Sequence, residues 1–229
     1  MTYRTIQQRL PRPLRRYILH FEAAIEDAVD LFARSLGDGA MVLDAGAGEC
    51  TFKDRFARHR YVGVDLGIGD HAWNYSQLDA IADLTATPFR AGVFDAVVNL
   101  VTLEHVREPG SVLAELYRVL KPGGTLLLVA PHEWEEHQTP HDYFRYTRYG
   151  MQYLLEHAGF GEIAIQPVGG FFRLLSRRLM NALQFFHGPL FLLAVIAFAP
   201  PALLLPALDS FDQQRNFTLG YICTARKPS

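Results

Sequence analysis

The densest chemistry in the chain lies in Val42-Leu43-Asp44-Ala45-Gly46-Ala47-Gly48-Glu49-Cys50. It reads as a short buried strand, an acid, and a glycine turn opening onto a helix. Glycines let backbone approach a ligand closely, and a helix start offers free N–H groups. Some twenty residues on, a second apolar strand, Tyr61-Val62-Gly63-Val64, ends in Asp65, placed to take a pair of ribose hydroxyls. Together they predict a nucleoside-binding crevice. A second concentration, residues 131–147, runs Pro131-His132-Glu133-Trp134-Glu135-Glu136-His137-Gln138-Thr139-Pro140-His141-Asp142-Tyr143-Phe144-Arg145-Tyr146-Thr147. It follows an apolar strand, and loops at the carboxyl ends of strands line the crevice of an open α/β sheet.

A glycine turn of this kind also serves dinucleotides, but that fingerprint wants a third small residue where Thr51 stands. Asp44, two residues before Gly46, is foreign to it as well. An acid at that strand end can order the loop and face a cationic ligand, and S-adenosylmethionine carries both a sulfonium and an amino group. At this point the sequence resembles the class I S-adenosylmethionine-dependent methyltransferases, in particular the type 11-like subgroup, over about residues 40–165. Asp44-Ala45-Gly46-Ala47-Gly48 is similar to the family's acidic-glycine loop, and Asp65 to its ribose acid. Ala82-Asp83-Leu84 with Pro88-Phe89 is similar to the adenine-contacting segment. Phe94-Asp95-Ala96-Val97-Val98 and Leu103-Glu104-His105-Val106 are similar to the fourth strand and the turn after it. Leu120-Lys121-Pro122-Gly123-Gly124-Thr125-Leu126 is similar to the helix-to-fifth-strand junction. The resemblance implies a cofactor-binding set of Asp44, Gly46, Ala47, Gly48, Asp65, Leu66, Asp83, Leu84 and Asn99. The chain departs at Cys50, where many members have Gly.

Methyl transfer is an in-line displacement at a carbon already activated by positive sulfur. It needs alignment, and a base if the nucleophile is a hydroxyl. His141 is the first candidate base, oriented by Asp142, and His137 the second. The competing reading is that His141, Asp142 and Arg145 form a network that merely seats the loop. His132, His137 and His141, or Glu104 with His105, meet no tight metal spacing, and no metal is expected. Glu104 is expected near a helix start, where its charge suits the positive end. The loop resembles that of a methyltransferase subgroup associated with complex glycans and lipids, in which a Pro-His-Asp-Tyr-Phe-Arg-Tyr run recurs.

These residues need a frame. The 229 residues are enough for one α/β domain with a core and an appendage. A net charge of −2 points to no nucleic-acid partner. The two cysteines, Cys50 and Cys223, match no metal or disulfide framework and suit a reducing cytosol. The N-terminus carries Arg4, Arg9, Arg12, Arg15 and Arg16 without an apolar stretch, so it is not a secretory signal. Residues 1–19 predict an arm or lid, followed by a helix with Phe21, Ala24, Ile25, Ala28 and Phe32 on one face. Strands are expected at 41–44, 61–65, 78–82, 93–99, 125–130, 162–168 and 217–225, and helices near 51–58, 110–120 and 148–158. The alternation predicts a doubly wound, mainly parallel, seven-stranded Rossmann-like sheet, in one domain with an N-terminal arm and helix (1–36) and an apolar insertion (171–212).

The insertion exceeds what a simple connection needs. Residues 171–187 predict an amphipathic helix with Arg173, Arg177, Asn181 and Gln184 on its wet face. Leu190 to Leu208 then carries no charge. If the last strand rejoins the sheet, the chain must return to the side it left, so a pair of short helices bent at Pro200-Pro201 and dipping into one leaflet fits better than a span. A substrate lid or a homodimer interface answers the same apolar surface. The expected function is methyl transfer from S-adenosylmethionine to oxygen on an amphiphilic or lipid-linked small molecule such as a glycan, quinone or polyketide. The expected location is cytoplasmic, peripheral at the inner face of the membrane. The rivals are a non-catalytic cofactor-binding regulator at a membrane and a nicotinamide-dependent oxidoreductase.

Overall fold

The computed structural model describes residues 11–69 and 72–229. Arg4 and Arg9 of the expected arm lie outside the described residues. Arg12–Ile18 form a short helix, α1, with a proline in its first turn, and His20–Ser35 form α2.

The chain divides into two compact units, each described separately. The larger comprises residues 27–166 and 221–229; the smaller comprises the described residues up to Glu26 together with 167–220. The sheet has seven strands, β1 Met41–Ala45, β2 Arg60–Asp65, β3 Ala80–Ile81, β4 Phe94–Leu100, β5 Leu120–Pro131, β6 Gly161–Val168 and β7 Gly220–Arg226. Their order is β3-β2-β1-β4-β5-β7-β6. β1 pairs in parallel with both β2 and β4, β2 with β3, and β4 with β5. The order reverses at β1 and β4, so a crevice opens at their carboxyl ends.

The central strands are fully buried at Val42, Leu43, Val97, Val98, Leu127 and Leu128, as strands covered on both faces must be. Helix α3 (Pro109–Val119) buries Val112, Leu113, Leu116 and Val119 in the main core, a helical spacing. Thr147 caps α4 (Arg148–His157) by accepting from the Gly150 N–H at 3.0 Å.

One expected helix is missing. Residues 51–58 hold only turns and a single 3-10 turn at Lys53–Phe56. Cys50, at the position of the family's glycine, sits at φ 57°, a left-handed conformation that ends any regular run into the segment.

The smaller unit also differs from expectation. The helix α5 (Phe171–Ala182) does not turn its arginines to water or headgroups. Arg177 pairs with Glu22 at 3.1 Å, and Arg173 lies 3.6 Å from Asp209 and over the Tyr17 ring. Internal acids claim the stripe that sequence alone assigns to a wet face. The prolines do not bend the next helix into two, since α6 runs unbroken from Pro189 to Leu204 through both Pro200 and Pro201. The Ala202 carbonyl accepts from the buried Ser176 hydroxyl at 2.5 Å, tying α5 to that stretch. A small core of Met180, Leu183, Ala194 and Ala202 holds the two helices together.

Candidate active site

Strand β1 delivers Asp44 and Ala45 to the end of the sheet, and the chain turns at Gly46 (φ 87°) and Gly48 (φ 52°). Both lie in the region that favours glycine. At Gly46 space is equally decisive, since a Cβ there would overlap the Thr102 side chain. Asp65, ending β2, accepts from the Gly48 N–H at 3.0 Å and the Gly67 N–H at 2.8 Å. It thereby pins the glycine loop while remaining on the crevice wall.

Asp44 is 3% exposed and accepts from the Tyr61 hydroxyl at 2.7 Å. Burial pushes its carboxyl up to about 7, and the Tyr61 hydrogen bond offsets only part of this. Asp44 is in register with Gly63, whose missing side chain leaves room for the Cys50 Sγ, 2.8 Å from where a Cβ would stand, and for the Tyr61 ring at 3.1 Å. This pairing explains a glycine inside a strand.

A crevice of about 440 Å³ collects most of the expected cofactor set, within the usual range for small-molecule sites. Asp44, Gly46, Ala47, Gly48, Asp65, Leu66, Asp83 and Leu84 all line it. Asn99 does not. It is completely buried on β4 and donates to the Ala45 carbonyl at 2.7 Å. It holds the acidic-glycine turn from beneath and has no exposed surface to offer a ligand.

His137 and His141 line the same crevice, with His105 and Trp134 beside them. Asp142 has a different partner from the expected one. It is bidentate with Arg145 at 2.7 Å and accepts from the His137 N–H at 2.9 Å, with its carboxylate also 3.4 Å from His137 Nδ1. The Arg145 guanidinium holds the Asp142 carboxyl at about 2. His141 instead has Nδ1 3.1 Å from the Tyr143 hydroxyl. The acid two-thirds of the way along the loop therefore steadies His137, because the loop folds back on itself between them.

Three contributors were not singled out for the cofactor crevice from sequence: Tyr61, Thr102 and Trp73. Trp73 comes within 3.4 Å of the Gly48 Cβ position and walls the crevice. Only the β1–β2 register carried a signal for Tyr61; Thr102 and Trp73 lie in loops with no periodic pattern. Glu104 also departs from expectation. It lies in a single 3-10 turn, Leu103–His105, and is wholly buried. Neither of its carboxylate oxygens has a hydrogen-bond partner on another described residue, and burial raises its pKa to about 8.

A mainly parallel sheet reversed at β1 and β4, with an acid-and-glycine turn and a second acid at the next strand end, has the Rossmann-like architecture of the class I S-adenosylmethionine-dependent methyltransferases. Residues 43–128, somewhat over a third of the chain, match the family model of the methyltransferase domain. It is 37% identical over 103 residues to the demethylmenaquinone methyltransferase of Renibacterium salmoninarum, covering 39% of this chain and 40% of that protein. It is 35% identical over 100 residues to the ubiquinone biosynthesis O-methyltransferase of Nitrosococcus oceani, covering 38% and 41%. The chain thus spans about two-fifths of the length of these relatives. In fold it is similar to the 1,6-didemethyltoxoflavin-N1-methyltransferase of Burkholderia thailandensis. The TM-score is 0.58 at 20% identity, over 91% of this chain and 80% of that one.

Proposed function

We propose that this protein transfers the methyl group of S-adenosylmethionine to an oxygen of an amphiphilic or lipid-linked small molecule, a quinone-type ring being the favoured class. The observation that carries this reading is the continuity of one crevice. The acidic-glycine loop and Asp65 form one wall, and His137 and His141 form another. Asp44 faces the cationic part of the cofactor, Asp65 takes the ribose hydroxyls, and Asp83 and Leu84 flank the adenine. Asn99 positions the loop without touching the ligand. His141, its Nδ1 engaged by Tyr143, presents Nε2 as the base for an acceptor hydroxyl, while His137 with Asp142 completes the acceptor side.

The names of the relatives, a demethylmenaquinone methyltransferase and a ubiquinone biosynthesis O-methyltransferase, support a lipophilic acceptor. So does the surface of the smaller unit. Pro189–Phe211 is long and apolar enough to cross a membrane, yet only 17% of its apolar window is buried. Leu190, Leu192, Leu193, Ile196 and Leu204 are each at least 60% exposed. We assign this face to peripheral contact with a membrane from the cytoplasmic side, where a lipid-soluble acceptor is found; a homodimer through it is the competing use.

The test is transfer of labelled methyl from S-adenosylmethionine into organic-extractable material, with demethylated quinones and membrane lipid extract offered as acceptors. Label in the organic phase with the intact protein supports the reading. Tight cofactor binding with no transfer to any fraction makes the protein a non-catalytic cofactor-binding component.

A further inference from the structure

A buried carboxylate with no hydrogen-bond partner on another described residue is rare, since each orphaned polar group costs stability. Glu104 is such a group, and it is not alone. His105 Nε2 is also buried without a hydrogen-bond partner and stands 3.7 Å from Glu104 Oε1. The His137 ring packs edge-on against His105, centroids 4.7 Å apart. One donor atom each from Glu104, His105 and His137 lies within 4.8 Å of the other two.

The far sides of both rings are already held. His105 Nδ1 is 2.6 Å from the His141 backbone carbonyl, which fixes the proton on Nδ1 and leaves Nε2 a lone-pair donor. His137 Nδ1 is 3.4 Å from the Asp142 carboxylate and 3.2 Å from the Glu135 carbonyl, which leaves its Nε2 in the same state. Metal-binding histidines are oriented in this way by a carbonyl or carboxylate behind the ring. Two imidazoles and one carboxylate form a donor set suited to first-row transition ions. Ligands about 2.0–2.2 Å from a tetrahedral ion stand about 3.4 Å from one another, so the three donors need to close by up to about 1.4 Å.

We propose that Glu104, His105 and His137 bind one divalent first-row transition ion, of the zinc or manganese kind. The ligands come from two segments some thirty residues apart, the turn after β4 and the loop after β5, so ion binding ties these segments together. His105 and His137 also line the cofactor crevice, and the ion's remaining positions face the acceptor side, where it holds an acceptor oxygen. That last role rests on the methyl-transfer reading; binding of the ion does not.

The experiment uses the full chain, stripped with a chelator and free of cofactor. It is titrated with Co²⁺ followed by absorption, and with Zn²⁺ and Mn²⁺ followed by calorimetry. One ion per chain is expected, with a cobalt spectrum of nitrogen and oxygen ligation and a raised melting temperature. His137→Ala, at a partly exposed side chain, and Glu104→Gln, which keeps the shape of the buried group, are each expected to weaken binding at least about tenfold. Asp142→Asn is expected to weaken it about 10–100-fold through His137. His187→Ala, in the smaller unit, is expected to change nothing. Calorimetry with S-adenosylhomocysteine on the same samples reports cofactor binding separately. A folded wild-type chain that takes up none of the three ions stoichiometrically overturns the proposal. So does an affinity unchanged in both His137→Ala and Glu104→Gln.

Discussion

At the scale of the residue, the cofactor role proposed for Asp44 carries a pH dependence. Its carboxyl titrates near 7 because it is buried. A cationic ligand favours the charged form, so binding releases a proton from the fraction of molecules still protonated. Affinity for S-adenosylmethionine is therefore expected to rise as pH goes from about 6 to 8 and then level off. Calorimetry at several pH values checks this, and Asp44→Asn is expected to bind more weakly with that dependence removed. Stability of the ligand-free protein runs the other way. The folded state keeps a proton that the unfolded carboxyl has released, so Asp44 costs progressively more stability as pH rises from the ordinary carboxylate range through 7.

Gly46 makes a purely steric prediction. Gly46→Ala brings a methyl against Thr102 at a left-handed φ, and is expected to cost about 1–3 kcal/mol in urea denaturation. Adding Thr102→Ala is expected to recover the contact part and leave the backbone part. His141 makes a catalytic one. His141→Ala is expected to slow methyl transfer by about 10²–10⁴-fold with S-adenosylhomocysteine affinity near that of the wild type. A fully active variant would leave His141 only a role in seating the loop.

At the scale of the element, the strand pattern was legible because apolar runs between turn signals are what a doubly covered sheet requires. The glycine loop was legible because its conformation admits few residue types, as Gly46 and Gly48 show. What sequence could not show was partner choice within a loop. Asp142 serves His137 because the chain doubles back, and Asn99 is sealed beneath β1 by strand register. Neither follows from spacing along the chain. The same limit hid the cluster at Glu104, whose members meet only when two strand-end loops converge. Arg173 and Arg177 were misplaced because an arginine stripe looks the same whether it meets water or internal acids.

Among the described residues, helix α6 carries a run of exposed apolar side chains. Leu192, Ile196 and Leu204 are 62%, 63% and 70% exposed, so replacing all three by Asp is expected to leave the fold intact. Apolar burial contributes about 25 cal/mol per Å², so these side chains suffice for attachment to a lipid surface. The intact protein is expected to sediment with liposomes and the triple variant to remain in the supernatant. If the intact protein instead stays in solution as a dimer and the variant is a monomer, the face is an interface between two copies.

At the scale of the whole molecule, the comparisons and the structure bear on different parts. The family match covers residues 43–128, within the larger unit, and with it the glycine loop, Asp65, Asp83 and the Glu104–His105 turn. The 131–147 loop and the smaller unit lie beyond it, and these are the parts to which acceptor choice and membrane contact are assigned. The most direct test of the account is calorimetric titration with S-adenosylhomocysteine of the wild type, Asp65→Ala and Gly46→Val. One molecule bound per wild-type chain is expected. Asp65→Ala loses charge-assisted hydrogen bonds each worth roughly 1.5–3 kcal/mol, and Gly46→Val shows no measurable binding. Equal affinity in all three folded proteins would contradict the assignment of the crevice.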